Sequence, residues 1–477
     1  MPLKYKISKK PNLQEVNMQP SVPSISEQIA EYYVNADASA IPEHVIARTK
    51  EIILDWLGNA VGGSNLESTE MVKEAMIPRD YVGTTTVVGG GYAPTDKAAF
   101  INAASAHGLE MDDSNTQACG HPAVVIISPA VAVGEEVNAS GEELIRAVIW
   151  GYDAMVRVGR AVNQDKHFER GFHPTATVGI FGGTTAVSML KRFSAEKLKN
   201  ALGIAGGFSA GNLECYADGT LTKRLNPGHA SMCAITASNL ADVGYRGPRW
   251  IFEGKCGFLH AYSDDVSPEN MLKNLDYSEY PIMYTAFKPY ASCKYTHAPI
   301  DCTIKVMKNN DIKAEDIEKI SVDVVSMAVR AVVEPREIKY NPPVVGAAQF
   351  SLPYSVAVAA LYGQASVDQF QEELLKDPTI KGMMNRVEMK HTGKLDKYLP
   401  YIFASTVAIE TKDGKKYEDL TTYTKGDPEN PMSPEELKNK FFSLACRTVS
   451  KEKAQKLYDA VMNLENISVR DLTALLH

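Results

Sequence analysis

No Cys-x-x-Cys pair occurs in this chain: its seven cysteines, at 119, 215, 233, 256, 293, 302 and 446, are scattered and odd in number. A zinc ribbon, a thioredoxin-type centre and a cysteine-ligated cluster therefore lose their usual signatures. Reduced thiols in a cytoplasmic protein are the expectation. Long apolar runs are missing as well. The longest, around Ala123 to Val133, is interrupted by Ser128 and Pro129 and falls short of the ~20 residues a membrane span needs. Lys4, Lys6, Lys9 and Lys10 stand near the start without an apolar core behind them, so no secretory signal is expected and residues 1–23 read as a flexible arm. There is no excess of positive charge. The net charge of −8 argues against nucleic acid or an anionic membrane surface as the main partner. An anionic small molecule in a locally basic pocket stays allowed. Neither an internal repeat nor a low-complexity tract is present. Gly179-Ile-Phe-Gly182-Gly183 lacks both the G-x-G-x-x-G spacing and the P-loop lysine, so close helix packing is its expected role.

What is present is a soluble, globular composition, 44% hydrophobic and 23% charged. At 477 residues two domains are expected. From about Ser24 to Asp276 the pattern is mostly helical. Val45, Ile46, Thr49, Ile52, Ile53, Trp56 and Leu57 mark one face of a helix over 42–60. Further helices are expected over 95–109, 141–158 and 194–202, with Ser194 as an N-cap, and a short strand over 84–88. After Met283 the character changes. Ile320, Val322 and Val324 alternate with Ser321 and Asp323 as in a half-buried strand. Segments 406–412 and 415–422 flank Asp413-Gly414, a hairpin signal. Helices are read over 309–317 and 355–363. Ser433-Pro434-Glu435-Glu436 opens another with capping-box spacing. The fold class expected is mainly α with an α+β second domain. A large helical domain is built from both chain ends (24–280 and 431–477), and a smaller α+β lid covers 281–430.

The stretch from His107 to Pro122 holds Glu110, Asp112 and Asp113 between His107 and His121, where a helical pattern stops. Burying so much charge unpaired is costly, whereas carboxylate and imidazole together serve general acid and base chemistry. Four more segments combine reactive side chains with turn residues: Gly171-Phe-His173-Pro174, Asp218 to Arg224 beside Asn226-Pro-Gly-His229, Lys288 to His297, and Lys339-Tyr340-Asn-Pro-Pro343. Each has a plain structural reading when taken alone. His107, Asp112, Asp113 and His121 are acceptable metal-ligand types, but their spacing fits no zinc or di-metal signature, and no metal is expected.

In this order, the five segments resemble the MmgE/PrpD family, which includes 2-methylcitrate dehydratases, cis-aconitate decarboxylases and iminodisuccinate epimerases. The resemblance runs over nearly the whole chain, from Ile41-Pro42 to the C-terminal helices. It implies a homodimer that needs no metal or organic cofactor. The catalytic set it implies falls on Glu110, Ser114, His121, His173, Lys223, His297 and Tyr340. Many members carry Asp at the position of Glu110 and Thr at that of Ser114, which leaves substrate size and orientation open.

The residues suit di- or tricarboxylates independently, since Lys223, Arg224 and protonated histidines hold carboxylates by charge-assisted hydrogen bonds. Ser114, Asp112 and Lys288 complete the expected substrate-binding set. His173 and His297 are expected to exchange the proton, Lys223 and His121 to hold carboxylates, and Tyr340 or Glu110 to assist protonation. This reads as a lyase acting on a citrate-type acid by dehydration or decarboxylation. Epimerisation or isomerisation of a dicarboxylate and a catalytically inactive homologue are the alternatives.

Overall fold

The computed structural model describes residues 22–477, so nearly all of the expected N-terminal arm lies outside the described residues. The architecture is mainly helical with a small mixed sheet in the middle of the chain. Among the described residues no helix is long and apolar enough to cross a membrane.

The apolar stripe between Pro42 and Ala60 forms the helix Glu43–Gly62, which buries Val45, Thr49, Ile52, Ile53, Trp56 and Leu57. Its neighbours include Thr95–Ala106, Pro122–Val137 and Gly141–Ala161, against which Gly179–Leu190 and Leu225–Asp242 pack in turn. The first ends three residues before the expected Leu109. Ser194 caps Ala195–Phe208, which runs further than its expected end at Leu202. The helix Pro122–Val137 continues through Pro129. Proline has no N–H, so the carbonyl of Val125 loses its donor four residues on. Gly183 passes over that oxygen: a Cβ there would lie 2.5 Å from it, and one on Gly182 would lie 2.7 Å from the Gly151 carbonyl. The two glycines serve close helix packing, as their sequence suggested.

The C-terminal helices Pro434–Ala445 and Lys451–Met462 return to this helical mass, where Phe441 packs over Gly58. Ser433 and Glu436 form the expected capping box. Ser433→Ala should lower stability by about 1 kcal/mol. A urea midpoint that does not move at constant m-value would show that the cap contributes nothing.

The strand expected over 84–88 is shorter, a pairing of β1 (Thr85–Thr86) with β2 (Tyr92–Ala93). The middle segment forms a four-stranded sheet of β3 (Ile317–Val324), β4 (Val387–Lys390), β5 (Ser405–Thr411) and β6 (Lys416–Thr421) in the order β4-β3-β5-β6. β3 and β4 are parallel and the other pairs antiparallel. Every second residue of β5 is buried, the period of a strand with one wet face. The Asp413-Gly414 turn joins β5 to β6, with Gly414 at φ +84°. The helix expected over 309–317 is not there. A helix His297–Asn309 stops at its first residue, Asp311 adopts φ +53°, and after a short turn β3 begins at Ile317. Asn309-Asn310-Asp311 breaks the helix because such side chains compete for backbone hydrogen bonds and tolerate the left-handed region.

Two hydrophobic clusters hold most of the buried apolar side chains. One draws on residues 25–287 and 437–476. The other is centred on residues 291–409 and takes in Leu109, Met111, Phe168, Leu213 and Leu444. Leu109 and Met111 flank Glu110, so the acid-rich loop lies where the two clusters meet.

Candidate active site

The loop begins at His107, the C-cap of the helix Thr95–Ala106. Glu110 then takes φ +55°, a left-handed conformation that strains a non-glycine residue by roughly 1–3 kcal/mol and gathers at functional sites. Ser114 pairs with Ala286 as an isolated antiparallel bridge, and Asn115 with Gly120. Gly120 has no substitute here, since a Cβ would lie 2.8–3.0 Å from Thr175. His121 closes the loop as N-cap of Pro122–Val137. Asp113 serves the same helix end: one carboxyl oxygen accepts from the Ala123 amide at 3.1 Å, and the other meets the Tyr152 hydroxyl at 2.7 Å. Burial, with Asp112 and Asp55 nearby, pushes the Asp113 carboxyl up to about 8. Lys440, from the C-terminal helix Pro434–Ala445, donates to the Met111 carbonyl at 2.7 Å and pairs with Asp55 at 2.5 Å. The far end of the chain thus fixes the middle of the loop.

A buried network of alternating charge runs through this loop. The Lys223 amino group donates to His107 Nε2 and to Glu110 Oε1, both at 2.7 Å. Because Nε2 accepts, the ring proton sits on Nδ1 and is donated to Asp112 Oδ2 at 2.7 Å. Lys288 closes the network from behind, 3.4 Å from Glu110 Oε2 and 3.5 Å from Asp112 Oδ1. Burial alone would raise both carboxyls and lower the lysine. The ion pairs override it, holding Glu110 and Asp112 below the usual carboxylate range and Lys288 above its own.

Two more imidazoles stand beside His107, with ring centroids 5.1 Å away for His121 and 5.8 Å for His173. His121 Nδ1 donates to the Asp113 carbonyl at 2.6 Å, leaving Nε2 free of that bond. His173 Nδ1 accepts from the Asn226 amide at 3.1 Å, which places its proton on Nε2. Burial, reinforced by Lys288 for His121 and by Lys223 for His173, depresses both rings, His121 to about 3. Both are neutral at ordinary pH.

Glu110, His121, His173, Lys223 and Lys294 all line one cleft of about 630 Å³, as does Ser114, between the helical mass and the middle segment. Other expected site residues lie elsewhere. Asp112 and Lys288 have no exposed surface and lie outside that lining. Expected to bind substrate, they are spent on each other, Glu110 and His107. Glu110, expected to assist protonation, is held ionised by two lysines and has no proton to give. Tyr340 donates its hydroxyl to the Val387 carbonyl and stacks on Arg336, away from the cleft. His297 is buried behind the lining, with Nε2 3.2 Å from the Ser292 carbonyl and Nδ1 without a partner. Arg224 faces an adjoining cavity instead.

Sequence reasoning passed over His107 as a working residue, although it opens the acid-rich stretch. It also missed Lys294 and Asn226, whose segments it had singled out. Lys339 had no signal, because nothing in a lysine before a tyrosine says that it is buried. Among the described residues no group of three or more His, Cys, Asp or Glu side chains is placed to hold a metal ion.

Known proteins match this chain along most of its length. The MmgE/PrpD N-terminal domain matches residues 27–271, and the MmgE/PrpD C-terminal domain residues 290–466. A cis-aconitate decarboxylase of Aspergillus terreus is 26% identical, with 95% of each chain covered. The cis-aconitate decarboxylase of Mus musculus is 25% identical over 93% of this chain and 91% of its own. That of Homo sapiens is 26% identical over 93% and 92%. The acid-rich loop, His173 and Lys223 lie within the N-terminal match and Lys294 within the C-terminal one, so the cleft is built from both halves of a single family architecture: the chain belongs to the MmgE/PrpD family.

Proposed function

We propose that this protein is a lyase that removes carbon dioxide from cis-aconitate or a closely related unsaturated tricarboxylate, without a metal or organic cofactor. The observation that carries the reading is the convergence of two neutral imidazoles, His121 and His173, with Lys223 and Lys294 on one cleft. The names of the relatives point to the same chemistry.

Lys223, and Lys294 on the exchange of its 2.5 Å ion pair with Asp427, orient the substrate carboxylates. The bond to the leaving carboxylate breaks, carbon dioxide departs, and the electron pair passes into the conjugated carbon framework towards a remaining carboxylate. Lys223 stabilises that developing charge, where a preorganised donor acts most strongly. Carbon then takes a proton from an imidazolium at His173 or His121. Both rings are neutral in the free enzyme, but an incoming polyanion raises their affinity for protons, so the proton enters with the substrate. His297 and Tyr340 have no part in this scheme. The middle α+β segment closes the cleft as a lid, and the protein works as a cytoplasmic homodimer.

Asn226 orients His173, and Asn226→Ala should lower kcat about 10- to 100-fold with a smaller change in KM. An unchanged kcat would remove Asn226 from the scheme.

The test of the function is proton NMR in deuterated water with cis-aconitate, citrate, 2-methylcitrate and iminodisuccinate. Itaconate-like methylene signals carrying deuterium are expected from cis-aconitate. New vinyl signals from a hydroxy acid would make it a dehydratase, and exchange at a stereocentre alone an epimerase. If none of the four acids changed, the substrate class would be wrong.

A further inference from the structure

Behind the Glu110–Lys223 pair lies a second, narrow cavity, and Glu110, Tyr216, Lys223 and Phe350 wall both it and the cleft. Its other walls come from the Gly219–Arg224 turn and from Lys339, Gly346, Ala347 and Gln349. Three cations therefore face one small space with a single carboxylate, Glu110, and that carboxylate is already engaged by Lys223 and Lys288.

The other two cations are unpaired. Lys339 is 1% exposed, and its amino group donates to the Ala331 carbonyl at 2.8 Å. Arg224 reaches the Ser68 hydroxyl at 3.1 Å and the Gln349 side-chain carbonyl at 3.3 Å. Among the described residues neither has a carboxylate within 4.0 Å. A buried cation such as Lys339 is strongly unfavourable without a counter-ion, and the half-buried Arg224 facing the same cavity adds to the cost. The missing charge is an anion with oxygen atoms on more than one side, to accept from a lysine and an arginine at once.

We propose that Lys339 and Arg224 form an oxyanion subsite adjoining the catalytic cleft, which takes one carboxylate of the substrate. The identification as a substrate carboxylate rests on the tricarboxylate reading above; the anion site itself does not. Lys223, shared by both spaces, would then sit between the reacting part of the substrate and its anchored middle carboxylate. A dicarboxylate would fill the cleft and leave the subsite empty, so the subsite selects for a third carboxylate. Burial brings the Lys339 ammonium down to about 8, so anion affinity should fall as the pH rises beyond that value.

The test is calorimetric titration of the wild-type protein, Lys339→Met and Arg224→Gln with three probes. These are tricarballylate, which is saturated and does not react; glutarate, the same chain without the middle carboxylate; and inorganic phosphate. Thermal unfolding shows which variants are folded, and the two substitutions lie on different segments, so one can fail without ending the test. Tricarballylate affinity is expected to drop about 10- to 100-fold in each variant while that of glutarate holds. If phosphate binding is lost in the variants and tricarballylate binding is untouched, the subsite stands and takes a free anion. If the wild-type protein binds phosphate but no tricarboxylate, and the variants lose phosphate, the subsite stands and the substrate reading falls. Folded variants that bind all three probes as the wild-type does would overturn the proposal.

Discussion

Lys223→Met should reduce kcat/KM by about a thousandfold or more, the scale expected when a preorganised donor to developing charge is lost. Three contacts disappear together. Glu110 loses its 2.7 Å partner, His107 Nε2 loses its donor, and the cleft loses the cation that walls it. The same change should destabilise the fold by roughly 3–5 kcal/mol, because Glu110 stays buried and negative with only Lys288 at 3.4 Å. The two effects are separable. Glu110→Gln added to Lys223→Met removes the orphaned charge and should restore most of the lost stability, but none of the activity. Denaturant unfolding and steady-state kinetics on the two variants provide the check. If the double variant regains activity along with stability, Lys223 is a structural lysine and the catalytic assignment falls. A single variant within tenfold of the wild type would end it directly.

The fold was legible wherever a local rule coincided with the tertiary outcome. The stripe of Val45, Ile52 and Trp56, the capping boxes and the Asp413-Gly414 turn each encode their own geometry in a few residues. Residues 309–317 do not form the expected helix, because the Asn309-Asn310-Asp311 break decides the matter. For the site, residue types marked the right segments but not which way each side chain faces. Asp112 and Asp113 are adjacent carboxylates with opposite fates: lysine and histidine neighbours hold the first ionised, and burial beside other acids pushes the second up to about 8. Nothing in the dipeptide separates them. The same holds for Lys288, Lys294 and Lys339, which are respectively sealed behind the site, lining it and facing the cavity next door. Burial and partners come from residues more than a hundred positions away, as in the pairing of Lys223 with His107.

Stability should fall as the solution is acidified from neutrality, before any ordinary carboxylate titrates. Four histidines, the partly buried His121 and the buried His167, His173 and His297, are depressed mainly by desolvation, His121 to about 3 and His167 to about 4. In the unfolded chain each takes up a proton near the ordinary imidazole value of 6.5. Below that pH the unfolded state binds more protons than the native one, so unfolding becomes easier as pH falls, and at pH 5 His121 and His167 each cost about 2 kcal/mol. Asp113 works in the opposite direction. Its native carboxyl holds a proton up to about 8 while the unfolded one loses it near 3.8. Acidification therefore removes a penalty, returning about 3 kcal/mol between pH 7 and pH 5. Asp55 and Asp301, whose carboxyls burial also raises, work in the same sense as Asp113; the four histidines act against all three, and the net direction expected is a fall in stability. Glu110 and Asp112, held low by their lysine and histidine partners, add their own loss only below the unfolded carboxylate range. The order of events is thus a histidine-driven decline that starts near pH 6.5, with a carboxylate-driven one beneath it. Urea midpoints across this range measure it. His121→Gln should flatten the histidine portion by about a quarter, and Asp113→Asn should steepen the fall by removing the opposing group. A stability that stays level or rises from pH 7 to pH 5 would mean that these imidazoles are solvated or paired when protonated, and the neutral proton acceptors assumed for the cleft would go with them.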